Sequence, residues 1–287
     1  MNISAQIETM LERSVARAEH PKGPPLLASA IRHSVFSGGA RVRPQLCVAV
    51  AAACEPKYDL TDAFAAGAAI ELLHCASLVH DDLPCFDDAD MRRGKPSVHV
   101  AYGEPIGVLT GDALIVMAFE MLARHTKDHY RELSLVLSDA SGPPHGIAAG
   151  QAWESEDQID LEAYHNAKTA ALFIAASRAG AVAVGHSDAQ WRELGRQLGE
   201  AYQIADDLRD ALMTSEELGK PAKQDTKHDR PSAVETYGVN EAFKRLNDAI
   251  NAAADSVPDC GGSPALRQLI HAQAIRLAPE SLAQQVA

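Results

Sequence analysis

LTDAFAAGAAIELLHCASLVHDD, residues 60–82, predicts one long helix with apolar side chains on more than one face. Such a helix is typical of the centre of a helical bundle, because a surface helix buries a single stripe. Residues 187–212 predict a second helix of this kind. The sequence predicts further helices over 2–19, 26–37, 43–54, 105–125, 128–140, 144–155, 160–183, 231–236, 239–254 and 262–278. Strand signals are poor, and SVHV at 97–100 is the one short candidate.

The composition supports a globular, all-helical chain. Of its 287 residues 46% are hydrophobic and 5% are aromatic, and this length can bury a sizeable core without disulfides. The sequence contains no repeat of fixed period and no low-complexity linker. We therefore expect one all-α domain over residues 1–287, folded as a single large helical bundle.

Charge and cysteine usage narrow the possible partners and compartments. The net charge of −13 argues against nucleic acid as the main partner. The five cysteines have no CxxC spacing, which favours a reduced, cytoplasmic setting. The N-terminal residues have no apolar signal-peptide core, and no uncharged apolar run reaches the roughly 18–20 residues of a membrane span. The sequence thus predicts no transmembrane segment.

Two clusters of aspartates stand at the ends of the two predicted central helices. HDDLPCFDDADMRRGKPSVH, residues 80–99, has five aspartates within ten positions, followed by Arg92 and Arg93. YQIADDLRD, residues 202–210, has three more, and Lys220 follows ten residues later. The aspartates of the two clusters are Asp81, Asp82, Asp87, Asp88, Asp90, Asp206, Asp207 and Asp210.

Spacing predicts how these carboxylates are arranged. Gln203, Asp206, Asp207 and Asp210 are spaced i, i+3, i+4, i+7, which places them on one stripe of a helix. In the first cluster Pro84 interrupts the helix, because proline removes a donor and clashes with the preceding turn. A loop that curls back after Pro84 would bring the second half of this cluster beside its first half.

Carboxylates in this pattern suit a hard cation. Magnesium commonly takes one or two carboxylates and completes its shell with water and substrate phosphate oxygens. Two acidic clusters on facing helices would hold metal ions that clamp a diphosphate, while Arg92, Arg93 and Lys220 neutralise its remaining charge. The alternatives are solvated acidic helix ends, an EF-hand loop, whose glycine and closing glutamate are missing, and a glycosidase carboxylate pair, which needs no such cations.

The order of these motifs resembles the trans-isoprenyl diphosphate synthase (polyprenyl synthetase) family. DDLPCFD is similar to the first aspartate-rich motif in its longer form, and DDLRD is similar to the second. Matches in family order, over about residues 25 to 240, are SGGARVRP (37–44), ELLH (71–74), RRGKPSVH (92–99), GDALI (111–115), GQAWE (150–154), KTAALF (168–173), YQIADD (202–207) and LGKPAKQD (218–225).

The resemblance implies a prenyltransferase that condenses isopentenyl diphosphate with an allylic diphosphate. It also implies a bundle of ten or more helices around a deep apolar cavity, three Mg²⁺ ions and a homodimer. The implied metal ligands are Asp81, Asp87 and Asp206. The other implied catalytic residues are Asp82, Asp207, Asp210 and Lys168. The implied substrate contacts are Arg92, Lys168, Thr169, Gln203 and Lys220 for the allylic diphosphate, and Arg43, His74 and Arg93 for isopentenyl diphosphate.

One departure concerns the segment before Arg43. The family usually has lysine after the double glycine, where this chain has Ala40, so one cation is missing and Arg41 is a candidate replacement. The Gly38–Gly39 turn is itself a candidate anion-binding bend.

Product length is predicted from the residues that precede the first motif. Ala76 and Ser77 are small, and a small residue here with the longer motif resembles bacterial geranylgeranyl diphosphate synthases of pigment pathways. Met117 and Phe119 are candidate cavity-floor residues. The expected product is therefore a C20 chain, because an aromatic residue would fill the space that each added C5 unit needs.

Three other functions stay open on the sequence. A farnesyl or geranyl diphosphate synthase has the same motifs. A terpene cyclase shares one aspartate motif but needs no second diphosphate site. A non-catalytic partner subunit of a prenyl synthase predicts eroded aspartate motifs, and both motifs are intact here.

Overall fold

The structure is a computed structural model that describes residues 2–212 and 233–277. Its helices are α1 (Ile3–Ala18), α2 (Pro25–Val35), α3 (Val42–Cys54), α4 (Thr61–Asp81), α5 (Val98–Tyr102), α6 (Glu104–His125), α7 (Tyr130–Ser141), α8 (Ile147–Trp153), α9 (Leu161–His165), α10 (Ala171–Val182), α11 (Arg192–Leu212), α12 (Ala233–Tyr237), α13 (Val239–Asp255) and α14 (Ser263–Leu277). A π-helical turn, Asn166–Ala170, joins α9 to α10, and a 3₁₀ turn, Ala189–Trp191, precedes α11. In this part of the chain the strands are limited to the two-residue hairpin β1 (Met91–Arg92) and β2 (Lys95–Pro96).

The long helix α4 lies at the centre of the bundle, as its sequence predicts. It packs against α3, α6 and α10, and most of its side chains are buried, from Ala63 to Val79. Alanine is frequent along α4 and α10, which lets neighbouring helix backbones approach closely. One apolar cluster contains buried residues of α1 to α7, α10, α11, α13 and α14, so these helices share a core.

Among the described helices, α4 and α6 are long and apolar enough to cross a membrane by length and composition alone. The apolar window of α4 is 78% buried inside the bundle, whereas that of α6 is 44% buried. The hydropathy of α4 is therefore accounted for by its central position.

The loop after α4 folds back on the end of the helix, as Pro84 predicts. The backbone N–H of Asp87 donates to the carbonyl of Asp81 (2.9 Å), and that of Ala89 donates to the carbonyl of Asp82 (3.1 Å). These hydrogen bonds place both halves of the first aspartate cluster at one end of α4.

The short strand candidate at 97–100 is not a strand in the structure. Residues from Val98 onward form the short helix α5, whose first backbone hydrogen bond runs from Ala101 N–H to the carbonyl of Ser97. Gly103 ends α5 at φ 90°. β-Branched composition in so short a run is a weak signal, and packing of α5 on α2 and α6 overrides it.

Candidate active site

A cavity of about 370 Å³ opens at the end of α4 and is closed by the hairpin, the π-helical turn and α11. Within the described chain its charged lining consists of the cations Arg43, Arg92, Arg93, Lys168 and Arg209 and the acids Asp81, Asp87, Asp206 and Asp210. Cations thus slightly outnumber acids here, although the whole chain has a net charge of −13. A locally cationic site lets an acidic protein attract an anionic ligand.

The two aspartate motifs face each other across this cavity. Asp81 and Asp87 enter its lining from the end of α4 and the following loop, and Asp206 and Asp210 enter it from α11. Because Asp206 and Asp210 are four residues apart, they lie on one face of α11, one turn from each other. The structure therefore brings together the acids that the sequence predicts as metal ligands.

In each motif the second aspartate of the pair turns away from the cavity. Asp82 accepts hydrogen bonds from Arg92, with Nε 3.0 Å from Oδ1, and its side chain is 3% exposed. Burial raises the pKa of Asp82, and the hydrogen bond from Arg92 opposes that rise. Neither Asp82 nor its counterpart Asp207 belongs to the described lining. Asp82 therefore positions Arg92, which does line the cavity.

Asp207 has the equivalent task on α11. It accepts a hydrogen bond from Gln203 Nε2 (2.8 Å) and another from the backbone N–H of Ala233 (2.7 Å), which opens α12. The predicted stripe on α11 thus holds for Gln203, Asp206 and Asp210 but not for Asp207. Asp206 and Asp207 are adjacent in sequence, so their side chains point 100° apart around the helix axis. Asp206 can therefore face the cavity while Asp207 faces the core.

The π-helical turn directs two adjacent side chains toward the cavity. Lys168 Nζ lies 3.6 Å from Asp81 Oδ1, and the hydroxyl of Thr169 donates to Oε1 of Gln203 (2.6 Å). One residue of the turn thus contacts the α4 motif and the next contacts the α11 motif. Single π-turns occur frequently at functional sites.

Helix α8 packs close against this turn and adds polar groups that the sequence analysis did not single out. A Cβ atom on Gly150 would lie 2.5 Å from the backbone nitrogen of Lys168, so only glycine permits this approach. Glu154 accepts hydrogen bonds from the Tyr164 hydroxyl (2.7 Å) and from Lys168 Nζ. Gln151 and Tyr164 line the cavity. The GQAWE match at 150–154 contains Gln151 and Glu154 and is the signal that could have found them, whereas Tyr164 lies outside it.

Arg43 packs against two neighbouring aromatic rings. Its guanidinium carbon lies 4.4 Å from the centre of the Phe173 ring and 5.7 Å from that of Tyr202, which is a cation–π arrangement. Within the described residues its buried Nε–H has no hydrogen-bond acceptor. A buried donor of this kind is costly unless a ligand accepts from it, so Arg43 indicates an anion-binding position.

Arg93 and His74 lie beside each other at the same end of the cavity, with Arg93 Nη2 3.5 Å from His74 Nε2. Burial, together with the nearby guanidinium groups of Arg43 and Arg93, holds the pKa of His74 well below its ordinary value. His74 is therefore neutral at physiological pH. It can exchange hydrogen bonds with a ligand but adds no positive charge.

The double-glycine turn, a candidate anion-binding bend in the sequence, contacts Arg93 and lies outside the described cavity lining. The carbonyl of Gly38 accepts a hydrogen bond from Arg93 Nη1. Gly39 has φ 124°, and a Cβ atom there would lie 2.7 Å from the same guanidinium nitrogen. Glycine is required at position 39 both for its backbone conformation and for this contact.

Arg41 does not replace the missing cation at position 40. Its guanidinium is buried and donates to Glu8, to Glu71 and to the carbonyl of Val35. Glu71 is itself buried, so the charge of Arg41 is needed there. Arg41 lies outside the described cavity lining, and its role is to fasten α3 to α1 and α4.

The predicted length-determining residues divide between cavity and core. Ser77 lines the cavity, whereas Ala76 is buried outside its described lining, and Met117 is also buried in the core. Phe119 is partly buried against the core. Most lining residues are polar, and the apolar ones are Leu78, Ala89, Met91, Ile147 and Leu172. This cavity is thus the charged end of a site rather than an apolar hollow throughout.

Divalent metal ions fit the donor set. The described part of the chain contains no group of three His, Cys, Asp or Glu side chains close enough to hold one ion by themselves. That suits magnesium, which needs only one or two carboxylates when phosphate oxygens and water supply the rest of its shell. Asp81, Asp87 and Asp206 offer hard carboxylate oxygens at the cavity surface. The predicted contact Lys220 lies outside the described residues.

Comparisons with known proteins show which family the chain belongs to. The sequence model of the polyprenyl synthetase family matches residues 24–260. The chain is 52% identical over all of its length to the geranylgeranyl diphosphate synthase of Cereibacter sphaeroides, which it covers completely. It is 49% identical to the geranylgeranyl diphosphate synthase of Rhodobacter capsulatus, over 96% of both chains.

A solved structure shows the same fold. The geranyltransferase of Helicobacter pylori, crystallised with magnesium and isoprenyl diphosphate, superposes with a TM-score of 0.78 at 28% identity. The match covers 96% of this chain and 98% of that one.

Proposed function

Because this chain belongs to the polyprenyl synthetase family, we propose that it joins isopentenyl diphosphate to an allylic diphosphate and forms C20 geranylgeranyl diphosphate. The chain is an enzyme, a transferase of prenyl groups. The observation that carries the proposal is that both aspartate motifs and five cationic side chains line one cavity. Relatives that match it over nearly their whole length bear the name of this activity.

The allylic diphosphate binds between the two aspartate motifs. Asp81, Asp87 and Asp206 would hold three magnesium ions, which supply positive charge for the diphosphate as it leaves. Arg92, Lys168, Thr169 and Gln203 surround the same position, and Lys220 completes the proposed set. Asp82 and Asp207 keep Arg92 and Gln203 in place, and Lys168 is held by Glu154.

Isopentenyl diphosphate binds at the second end of the cavity, where Arg43, Arg93 and His74 meet. The cations there neutralise its diphosphate through charge-assisted hydrogen bonds. A neutral His74 donates or accepts one further hydrogen bond without charge.

The reaction breaks the C1–O bond of the allylic substrate and leaves a positive allylic carbon. The double bond of isopentenyl diphosphate attacks that carbon, which forms the new C–C bond. The product carbocation then loses a proton, which the departing diphosphate accepts, so no protein base is required. What the protein supplies is position and charge: arginine and lysine groups are aimed at a leaving group whose negative charge grows.

A C20 product agrees with the small residues on the α4 face. Ser77 lines the cavity one helical turn before Asp81, and its hydroxyl donates to the carbonyl of His74 (2.9 Å). Because Ser77 carries no ring, it leaves room for a hydrocarbon tail beside α4, whereas Ala76 lies outside the described lining. A farnesyl or geranyl product is the alternative that a bulky residue in this position would favour.

We also propose a cytoplasmic homodimer. On α6 the apolar side chains of Val108, Leu109 and Val116 are exposed, Val116 by 68%, at a spacing that places them near one face of the helix. A second copy of the chain would cover this face, since exposed apolar patches on helices commonly mark interfaces. Light scattering of the purified chain measures its molar mass in solution and so tests the homodimer. A Val116→Glu variant should shift from dimers toward monomers.

Product analysis tests the activity. The protein is incubated with magnesium, isopentenyl diphosphate and one of three starters, dimethylallyl, geranyl or farnesyl diphosphate, and the products are separated by chain length. The proposal requires C20 chains from each starter that is accepted. Release of diphosphate without chain extension would instead identify a terpene cyclase, and no turnover would identify a non-catalytic partner subunit.

A further inference from the structure

The second aspartate motif contains a basic residue, Arg209, to which the sequence analysis assigned no role. Its side chain lines the cavity and is one-quarter exposed. Its guanidinium carbon lies 5.9 Å from the centre of the Tyr202 ring, and that of Arg43 lies 5.7 Å from the same ring. Tyr202, Asp206 and Arg209 follow one another at intervals of four and three residues, so helical spacing places all three on one face of α11.

Two guanidinium groups that share one ring and one cavity repel each other unless negative charge lies near both. Asp206 supplies part of that charge, because Arg209 Nη1 is 3.5 Å from its Oδ1. This contact is at the long limit for a hydrogen bond and therefore weak. Asp206 is also a proposed metal ligand, and a cation bound to it would compete with Arg209 for the same oxygen.

The second diphosphate position is short of fixed positive charge. Position 40 is alanine, His74 is neutral and Arg41 is committed to Glu8 and Glu71. Among the described residues, that leaves Arg43 and Arg93 to face a ligand with several negative charges. Arg209 approaches the same aromatic ring from α11, and a guanidinium can bind phosphate oxygens in bidentate fashion.

We propose that Arg209 binds the diphosphate of isopentenyl diphosphate together with Arg43, as the third fixed cation of that site. The inference rests on the proposed function, because it assumes that Arg43 and Arg93 mark the second substrate position. It differs from a purely structural role, in which Arg209 would only hold Asp206. Experiments can separate the two roles. Loss of a diphosphate contact would weaken the binding of isopentenyl diphosphate, whereas loss of the contact with Asp206 would affect metal and the allylic substrate.

The test compares Arg209→Leu, Arg209→Lys and Arg196→Leu. Leucine and lysine are both good helix formers, so the helix should be kept. Arg196 is a matched control, since it also lies on α11 but pairs with Glu193 and Glu200 outside this cavity. Calorimetry measures the binding of isopentenyl diphosphate in EDTA, where neither metal nor turnover contributes, and steady-state kinetics give KM for each substrate.

Arg209→Leu should weaken the binding of isopentenyl diphosphate about tenfold, the size expected for one charge-assisted hydrogen bond. KM for isopentenyl diphosphate should rise by a similar factor, while KM for the allylic substrate changes by less than about threefold. Arg209→Lys should bind more tightly than Arg209→Leu because it keeps the charge. Arg196→Leu should match the unmodified enzyme.

Unchanged affinity for isopentenyl diphosphate in Arg209→Leu, with a raised KM for the allylic substrate, would overturn the proposal and assign Arg209 to Asp206. A lysine variant as weak as the leucine variant would also contradict it. If the unmodified enzyme neither bound isopentenyl diphosphate nor extended a chain, the proposed function itself would fail. That result is distinct from a functional enzyme in which Arg209 is dispensable for this substrate.

Discussion

Replacing Arg92 with alanine should destabilise the protein even when no substrate is present. The Asp82 side chain is 3% exposed, and Arg92 is the side chain that donates hydrogen bonds to it from β1. Removing one partner of a buried ion pair commonly costs about 3–5 kcal/mol, because the remaining charge is left buried and uncompensated. Arg92 is itself 22% exposed, so water can partly replace it, and the loss should be near the lower limit, about 3 kcal/mol.

Neutralising the stranded carboxylate should recover part of this loss. The double variant Asp82→Asn/Arg92→Ala has no buried charge at this position, and we expect it to be about 1–2 kcal/mol more stable than Arg92→Ala at pH 7. Urea unfolding in EDTA, followed by circular dichroism, gives both free energies of unfolding. EDTA removes the contribution of any bound metal.

The pH dependence provides a second measure of the same carboxylate. Burial already raises the pKa of Asp82, and loss of Arg92 removes the hydrogen bond that opposes the rise. A raised pKa means that the folded state binds a proton that the unfolded state does not, so Arg92→Ala should regain stability as the pH falls from 7 toward 5. The double variant should lack this gain. Equal stabilities at pH 7 and parallel pH profiles would refute the ion-pair account.

Three further predictions follow from the site. Asp81→Ala or Asp206→Ala should lower kcat by about two or more orders of magnitude while the circular dichroism spectrum is unchanged; rates near those of the unmodified enzyme would contradict their assignment to metal. Burial lowers the pKa of His74 in the folded state, so as the pH falls the unfolded chain binds a proton at this residue before the folded chain does. The free energy of unfolding should therefore decline below pH 6.5 by up to about 1.4 kcal/mol per pH unit. His74→Gln should flatten that decline, and an unchanged slope would refute it. Ser77→Phe should shift the products from C20 toward C15, and an unchanged C20 fraction would remove Ser77 from length control.

Much of the bundle could be predicted from helical periodicity and its breakers. The predicted helices over 60–82 and 105–125 correspond to α4 and α6 within a residue or two, because long apolar patterns are strong signals. Pro84 predicted that α4 ends and that the following loop turns back toward Asp81, because proline cannot continue a helix. The helix predicted over 160–183 corresponds to a continuous helical run over residues 161–182, but no sequence pattern indicated the π-helical turn inside it.

Side-chain direction in the site could be predicted only in part. Spacing placed Asp206 and Asp210 correctly, yet it could not show that Asp82 and Asp207 turn toward buried partners. Those partners lie on β1 and at the start of α12, outside the helices that carry the aspartates, so the contacts depend on tertiary packing. For the same reason Arg41 could not be assigned, since its acceptors Glu8 and Glu71 lie on two other helices.

The account depends on two acidic motifs that hold divalent ions across one cavity. Crystals grown with Mn²⁺, inorganic diphosphate and isopentenyl diphosphate would test this directly through anomalous diffraction, because manganese replaces magnesium at oxygen ligands and scatters strongly. We expect manganese peaks beside Asp81 and Asp87 and beside Asp206, bridged by one diphosphate. Manganese bound elsewhere, or at one motif with the other facing solvent, would contradict the account.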